Sequence, residues 1–298
     1  MVRHVLEIDE LSPPEIHKIL EYSEQEYSKS LDGKGVALLF EKPSNRTRNS
    51  MEMAVVQLGG HPVTIRPDEV GIGKRESTGD IARTLSCYHG LIGARVFDHA
   101  TVQELAKHSS VPVINMLSDE AHPLQALADV LTIRQEFGKL DGLTVAYVGD
   151  SNNVARSLAI ASGMVGMNFR IASPNGYEFT TEDRERILKS GMELQQTSDP
   201  VDAVKNADVV YTDVWTSMGQ EQEISKRLED FNGFTVTSEI LENAQEKCIF
   251  LHCLPAHPGE EVTREVLDSD KSRIWEQAEN RMHSARGLMI FLADEGME

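Results

Sequence analysis

Residue types that bind phosphate crowd the start of one predicted helix. Residues 36–40 form an apolar run that predicts a buried strand, and Pro43 ends it because proline has no N–H for a sheet ladder. Ser44 occupies the position of a helix cap, and apolar residues recur at helical spacing over 51–58. The first turn of this helix contains Ser44, Asn45, Arg46, Thr47 and Arg48.

This turn combines free backbone N–H groups with hydroxyl, amide and guanidinium groups. Such a set suits a phosphate or another compact dianion. Arginine is otherwise unfavourable there, because the helix dipole disfavours cations at a helix N-terminus. The alternative interpretation is a solvated first turn that happens to carry arginines.

Two further clusters in the first half of the chain suit a polarised carbonyl group. His122 and Gln125 lie at a predicted strand-to-helix turn, where the imidazole can donate to a carbonyl oxygen and the amide oxygen can accept from an NH2 group. Arg95 comes late in the predicted buried strand 91–97, where a charge needs a partner or a ligand. The alternatives are a capping or surface histidine and a structural ion pair.

Three clusters in the second half of the chain suit an amino acid. Residues 150–153 place two amides before a helix, which fits a carboxylate or plain helix capping, and they lack the G-x-G-x-x-G pattern of dinucleotide sites. Asp213 can hold an ammonium group or simply form a turn. Cys253, in the run 252–257, can act as a nucleophile beside histidine or as a small buried apolar residue, and no convincing metal-ligand set is visible.

Strands and helices alternate along the chain, which predicts an α/β fold of two doubly wound domains, each a mostly parallel sheet flanked by helices. We expect a first domain over residues 1–138, which ends in a helix over 123–137, and a second over 139–271. Residues 272–298 are expected to form a C-terminal helix that packs back on the first domain. The polar clusters follow strand ends, where ligands bind in such sheets, so we expect the active site in the interdomain cleft.

Composition excludes several classes of protein. The formal net charge of −19 over 298 residues argues against binding to nucleic acid or anionic membranes. No apolar run approaches the ~20 residues that span a bilayer. Cys87, Cys248 and Cys253 make no disulfide framework, which favours a cytoplasmic protein.

Taken together, the clusters resemble the aspartate/ornithine carbamoyltransferase superfamily. The run 44–48 resembles its Ser-Thr-Arg-Thr-Arg motif, and 122–125 resembles its His-Pro-x-Gln motif. Asp213 with the Ser-Met-Gly run at 217–219, and His-Cys-Leu-Pro at 252–255, resemble the ornithine branch. The resemblance implies transfer of the carbamoyl group of carbamoyl phosphate to the δ-amine of L-ornithine, by direct attack through a tetrahedral intermediate. A related amine, N-acetylornithine or putrescine, is the alternative acceptor.

The resemblance also assigns residues to roles. The implied catalytic residues are Arg95, His122, Cys253 and Thr47. The implied carbamoyl-phosphate-binding residues are Ser44, Asn45, Arg46, Thr47, Arg95, His122, Gln125, Cys253, Leu254 and Arg281. The implied ornithine-binding residues are Asn153, Asp213, Ser217 and Met218. Asn45 departs from the family motif, which has threonine there, so an altered affinity for the carbamoyl donor is expected.

The family implies no metal and no cofactor. It implies a homotrimer or a higher assembly of trimers, in which Lys74 or Arg75 reaches a neighbouring active site. It places the reaction in the cytoplasm, in arginine biosynthesis or in the citrulline metabolism of the urea cycle.

Overall fold

Two all-parallel β-sheets form the framework of the chain in this computed structural model, which describes residues 2–26, 28–72, 75–216 and 221–295. Each sheet belongs to one of two compact units. Unit 1 comprises Met1–Leu131 and Glu279–Glu298, and unit 2 comprises Thr132–Ala278. The α/β class and the parallel sheets predicted from the sequence are confirmed.

The sheet of unit 1 has four strands in the order β2-β1-β3-β4. The strands are β1 Gly35–Phe40, β2 His61–Ile65, β3 His89–Arg95 and β4 Val113–Leu117. Residues 36–39 of β1 are fully buried because helices cover both faces of a parallel sheet, which accounts for the continuous apolar run. The helices that lie in this unit or begin or end in it are α1 Pro13–Glu24, α2 Asn45–Gln57, α3 Pro67–Val70, α4 Thr78–Tyr88, α5 His99–His108, α6 Pro123–Phe137 and α13 Ile274–Glu295, with a 3-10 turn at Ile8–Glu10.

The sheet of unit 2 has five strands in the order β7-β6-β5-β8-β9. They are β5 Thr144–Val148, β6 Asn168–Ala172, β7 Gln195–Thr197, β8 Val209–Thr212 and β9 Ile249–His252. Around them lie α7 Asn153–Met164, α8 Thr181–Lys189, α9 Pro200–Val204, α10 Ile224–Asp230, α11 Ser238–Leu241 and α12 Arg264–Leu267, with a 3-10 turn at Glu221–Glu223. Within the described ranges, none of the helices is both long and apolar enough to cross a bilayer.

Each sheet has a point at which the strand order reverses. In unit 1 the chain winds from β1 outward to β2, and from β3 outward to β4, so the reversal lies between β1 and β3. In unit 2 it lies between β5 and β8. Because the loops that leave two such strands run in opposite directions, they leave a crevice at the carboxyl edge of the sheet, where ligands bind.

Candidate active site

The turn after β1 contains the predicted anion-binding residues of unit 1. Ser44 caps α2, since its Oγ accepts a hydrogen bond of 3.2 Å from the backbone N–H of Thr47. Arg48 is exposed and its Nε lies 2.8 Å from Oε1 of Glu52. Arg46 is half-buried and, among the described residues, has no hydrogen-bond or ion-pair partner. One of the two neighbouring arginines is therefore occupied by the protein, and the other remains available for a ligand.

The hydroxyl of Thr47 joins the turn to two buried arginines. Nη1 of Arg95, the last residue of β3, lies 3.4 Å from Oγ1, and Nη2 of Arg281 on α13 lies 2.7 Å from the same oxygen. All three residues are less than one-tenth exposed. The two guanidinium nitrogens therefore lie within about 6 Å of each other, a separation at which like charges repel strongly in a buried environment. An anion bound beside them would remove this repulsion.

Gln125, on the first turn of α6, has its amide orientation fixed by two neighbours. Its Oε1 accepts from Nη1 of Arg281, and its Nε2 donates to Oδ1 of Asp129 over 2.8 Å. The amide oxygen therefore faces the arginine and keeps a second lone pair for another donor. Sequence reasoning missed Asp129, although an acid four residues after Gln125 on the same helix face was a usable signal.

His122 lies just before α6 and is almost completely buried. Burial, followed by the positive charges of Arg281 and Arg95, holds the pKa of His122 well below its ordinary value of 6.5. The imidazole is therefore neutral at pH 7. A neutral imidazole can still donate one hydrogen bond to a carbonyl oxygen without placing a third cation beside two arginines.

This pKa shift predicts how stability depends on pH. The folded pKa of His122 lies below the unfolded value of 6.5, so the unfolded chain takes up the proton first. The contribution of His122 to stability is complete above about pH 6.5 and is lost as the pH falls below it. We expect wild type to lose free energy of unfolding faster than His122→Asn as the pH falls, by up to about 1.4 kcal/mol per pH unit.

Urea unfolding at a series of pH values between about 7 and 5 measures this slope. His17→Asn is the matched control, because His17 lies on the exposed face of α1. Identical slopes for wild type and His122→Asn would contradict the buried neutral state of His122.

The remaining predicted residues of unit 1 lie on the surface or outside the described ranges. Asn45 is exposed, and both its backbone oxygen and Oδ1 accept from Nδ2 of Asn49, at 2.8 Å and 3.0 Å. Its side chain is thus engaged along the helix. Arg75 is exposed, and Lys74 lies outside the described residues.

In unit 2, Asp213 follows β8 and receives hydrogen bonds from three directions. Its Oδ2 accepts from Nδ2 of Asn152 over 3.0 Å, which joins the two loops that flank the reversal between β5 and β8. Its Oδ1 accepts from the backbone N–H of Val214 at 2.8 Å and from the thiol of Cys253 at 2.9 Å. The structure thus brings together Asp213 and Cys253, which the sequence placed in separate clusters.

The two adjacent asparagines after β5 have different positions. Asn152 is the cap of α7, and its Oδ1 accepts from the backbone N–H groups of Val154 and Ala155. Asn153 is the first residue of the helix and is half-buried. Both amides belong to the cluster 150–153 that the sequence indicated, but only Asn153 was given a role in binding ornithine. Ser217 and Met218 lie outside the described residues.

Cys253 and Leu254 lie in the loop after β9, next to the buried side chains of His252 and Glu261. Nδ1 of His252 accepts the backbone N–H of Leu254 over 2.8 Å, so Nε2 of the neutral ring carries the proton and faces Oε1 of Glu261 at 3.1 Å. Leu254 has a φ of +60°, which side-chain-bearing residues rarely adopt, and the hydrogen bond from its own N–H to His252 helps to hold it there. Sequence reasoning missed Glu261, nine residues beyond its histidine partner.

Arg227, on α10, contacts described residues that precede and follow positions 217–220 in the sequence. Its Nη1 lies 2.6 Å from Oδ2 of Asp150 and 2.8 Å from the backbone oxygen of Trp215, and its Nε lies 2.9 Å from Oε2 of Glu223. Burial raises the pKa of Asp150, although the bond from Arg227 opposes this shift. Glu223 precedes Arg227 by only four residues, but Asp150 is 77 positions away, so no local pattern pointed to that ion pair.

Three groups of side chains among the described residues could hold a metal ion, with ligand atoms within 4.8 Å of one another. They are Asp213–His252–Cys253, Glu7–His99–Glu120 and His257–Glu260–Glu261. In the first group the carboxylate already accepts the thiol hydrogen and His252 is used by Leu254. The reaction implied by the resemblance requires no metal at this position.

Comparisons with known proteins match both units. The model described as the aspartate/ornithine carbamoyltransferase carbamoyl-P binding domain matches residues 3–135, and that of the Asp/Orn binding domain matches residues 141–292. An ornithine carbamoyltransferase of Thermus thermophilus is 48% identical over 97% of this chain and 96% of its own length. One from Methanocaldococcus jannaschii is 44% identical over 97% and 98% of the two chains. A solved ornithine carbamoyltransferase structure from Pyrococcus furiosus aligns with a TM-score of 0.91 and 44% identity over 96% of this chain and 95% of that one.

Proposed function

The chain belongs to the aspartate/ornithine carbamoyltransferase family, and from that premise we propose that it transfers the carbamoyl group of carbamoyl phosphate to the δ-amine of L-ornithine. The products are L-citrulline and phosphate. One observation carries the proposal: two buried arginines, Arg95 and Arg281, converge on Thr47 beside Arg46, which pairs with no described residue. The three guanidinium groups make a cationic site that suits a compact anion.

The phosphate group binds at the N-terminus of α2. Ser44 and Asn45 offer backbone N–H groups there, whereas the N–H of Thr47 is bonded to the Ser44 cap and the hydroxyl hydrogen of Thr47 is left for the carbamoyl oxygen. Arg46 adds a charge-assisted hydrogen bond without breaking any contact with a described residue. The side chain of Asn45 is bonded to Asn49, so the expected contribution of Asn45 is its backbone N–H.

The carbamoyl oxygen binds to Arg95, His122 and Thr47. These groups stabilise the negative charge that develops on this oxygen as the carbonyl carbon becomes tetrahedral. Gln125 holds the carbamoyl NH2 group through the second lone pair of its Oε1. Arg281, bonded to both Gln125 and Thr47, fixes the two polar groups that define the position of the donor.

Ornithine binds through residues of unit 2. The Asp213 carboxylate accepts from the α-ammonium group, and Asn153 donates to the α-carboxylate. Ser217 and Met218, outside the described residues, have a proposed role in the same contacts. Cys253 and Leu254 line the position of the δ-amine.

The reaction needs no covalent intermediate with the protein. The neutral δ-amine attacks the carbonyl carbon, a C–N bond forms, and the carbonyl π electrons move to the oxygen. When the intermediate collapses, the bond from carbon to the bridging phosphate oxygen breaks, and phosphate leaves with that electron pair while the amine loses a proton. Positioning of the two substrates and stabilisation of the oxyanion supply the acceleration.

The alternative acceptors fit less well. An acetylated α-amine has no positive charge for Asp213 to hold, and putrescine has neither an α-amine nor an α-carboxylate. The curated relatives described above are named ornithine carbamoyltransferases, which also favours ornithine.

A citrulline-forming assay tests this function directly. Carbamoyl phosphate is offered with L-ornithine, N-acetyl-L-ornithine, putrescine or L-aspartate in parallel, and phosphate release and carbamoylated product are both measured. We expect rapid turnover with ornithine alone. Carbamoylation of another amine in preference to ornithine would overturn the proposed acceptor, and absence of product from all four would overturn the reaction.

We also propose that the protein acts in the cytoplasm as a homotrimer or an assembly of trimers, in arginine biosynthesis or citrulline metabolism. Arg75 is exposed and so available for a contact between subunits, and Lys74, its neighbour in the sequence, is the alternative basic residue. Light scattering coupled to gel filtration should give a mass of roughly three times the 33.1 kDa of the chain, or a multiple of that trimer. A monomeric mass with full activity would contradict the shared site.

A further inference from the structure

The two oxygens of the Asp213 carboxylate have different partners. Oδ1 accepts from the backbone N–H of Val214 at 2.8 Å and from the thiol of Cys253 at 2.9 Å. Among the described residues, Oδ2 accepts only from Nδ2 of Asn152, at 3.0 Å. Because a carboxylate oxygen accepts about two hydrogen bonds, Oδ1 is filled and Oδ2 keeps a lone pair. An ammonium group that binds to Asp213 therefore binds at Oδ2.

The amide of Asn152 is fixed in the orientation that this contact needs. As the cap of α7, its Oδ1 accepts from the backbone N–H groups of Val154 and Ala155, at 2.9 Å and 3.0 Å. Backbone N–H groups only donate and an ionised carboxylate only accepts, so the NH2 group must face Asp213. Because consecutive hydrogen bonds polarise one another, the cap also makes the amide a better donor to Oδ2.

Asn152 and Asp213 lie in different loops of unit 2. Asn152 follows β5 and Asp213 follows β8, the two neighbouring strands between which the strand order reverses. Asp213 is 6% exposed, so protein groups more than water determine the position of its carboxylate. Within the described part of the chain, the amide of Asn152 is the group that fixes Oδ2. Without this amide, the oxygen that binds the ammonium group would be free to move.

We propose that Asn152 is a positioning residue for the acceptor, because its amide holds Oδ2 of Asp213 where the α-ammonium group of ornithine binds. This inference rests on the proposed function, since it concerns how ornithine is recognised. The role lies outside the chemical step. It should therefore appear in KM for ornithine and leave kcat nearly unchanged. A residue that only caps α7 would have no such effect.

Replacing Asn152 by serine separates the two roles. A serine hydroxyl also caps helices, but serine has no NH2 group to donate to Asp213. We expect Asn152→Ser to raise KM for ornithine by at least about tenfold, the usual effect of losing a hydrogen bond to a charged group. The free energy of unfolding in urea, kcat and KM for carbamoyl phosphate should stay close to wild type. Asn152→Ala loses the cap as well, so it should show the same rise in KM together with a lower free energy of unfolding.

A substrate analogue shows whether the effect acts through the α-amine. δ-Aminovalerate is ornithine without this amine, so it presents no α-ammonium group to Asp213. Its inhibition constant against ornithine should be the same in Asn152→Ser as in wild type. A weaker interaction with ornithine and an unchanged interaction with the analogue would support the role given to Asn152. Equal losses for both compounds would overturn it, because they would indicate general damage to the acceptor site.

Thr180→Ala is the matched control, since Thr180 caps the next helix, α8, by accepting from the backbone N–H of Asp183. It should lower the free energy of unfolding and keep the wild-type KM for ornithine. An unchanged KM in Asn152→Ser, beside normal turnover by wild type, would overturn this inference alone. A KM that rises in both alanine variants but not in Asn152→Ser would do the same, because loss of a cap would then be the cause. A wild-type chain that forms no citrulline would instead overturn the proposed function, and the role of Asn152 with it.

Discussion

Replacing Arg46 by alanine should lower kcat/KM for carbamoyl phosphate by about 100-fold or more, the usual cost of losing a charge-assisted contact in a reacting complex. Arg46 is half-buried at the N-terminus of α2 and pairs with no described residue. Its removal breaks no hydrogen bond or ion pair with a described residue, so the loss should appear in catalysis and not in stability. Steady-state kinetics with varied carbamoyl phosphate, together with urea unfolding, measure both quantities.

Arg48→Ala supplies the matched control for this prediction. Arg48 is two residues away on the same helix, but its guanidinium is exposed and paired with Glu52. Its loss should change kcat/KM by less than about threefold, because an exposed ion pair contributes about 0–1 kcal/mol. Equal losses in both variants, or near-wild-type turnover of Arg46→Ala, would show that the phosphate binds elsewhere.

The sequence predicted the site residues that are close together along the chain and form a recognisable local pattern. The anion-binding turn needs only a strand, a proline and a helix cap, and the structure places Ser44 at that cap. The helix over 123–137 is found with the same bounds as α6, because Pro123 marks its start and Gly138 its end. Arg281 has no such local signal, and only the family resemblance pointed to it.

Other features depend on contacts that a local pattern does not contain. The edge strand β7 covers Gln195–Thr197 and pairs with β6. Met192, three residues before it, is buried, but the strand itself is polar and contains no apolar pattern from which it could be predicted. Arg227 and Asp150 are separated by 77 positions, so their ion pair became visible only in three dimensions.

The neighbouring asparagines show how one residue of register changes a prediction. Asn152 and Asn153 have the same side chain, and either could cap a helix. The φ of −78° and ψ of −175° at Asn152 make it the cap, so its amide reaches both α7 and Asp213. Asn153 is then the first residue of the helix, and its side chain does not act as the cap. Sequence patterns locate helix ends only to within a few residues, which is too coarse to choose between the two.

Replacing Asp213 by asparagine should raise KM for ornithine and lower kcat/KM for ornithine by about 100-fold, since a hydrogen bond to a charged group contributes about 1.5–3 kcal/mol. The amide keeps the shape of the carboxylate, and its single oxygen can replace Oδ1 and still accept from Val214, but its NH2 group then replaces Oδ2 and loses the bond from Asn152. It lacks the negative charge that holds the α-ammonium group, and it is a weaker acceptor for the Cys253 thiol. Binding of carbamoyl phosphate to the free enzyme should be unchanged, because its proposed ligands for phosphate belong to unit 1.

Asp208→Asn is the control for this second prediction. Asp208 precedes the other end of β8, and its Oδ2 accepts the backbone N–H of Thr144 over 2.8 Å, a bond that an asparagine oxygen can preserve. Ornithine kinetics should therefore be close to wild type in Asp208→Asn. A parallel loss of carbamoyl phosphate affinity in Asp213→Asn would indicate general damage, and an unchanged KM for ornithine would remove Asp213 from the acceptor site. Separate loss of ornithine binding in Asp213→Asn and of carbamoyl phosphate binding in Arg46→Ala would assign the two substrates to the two clusters.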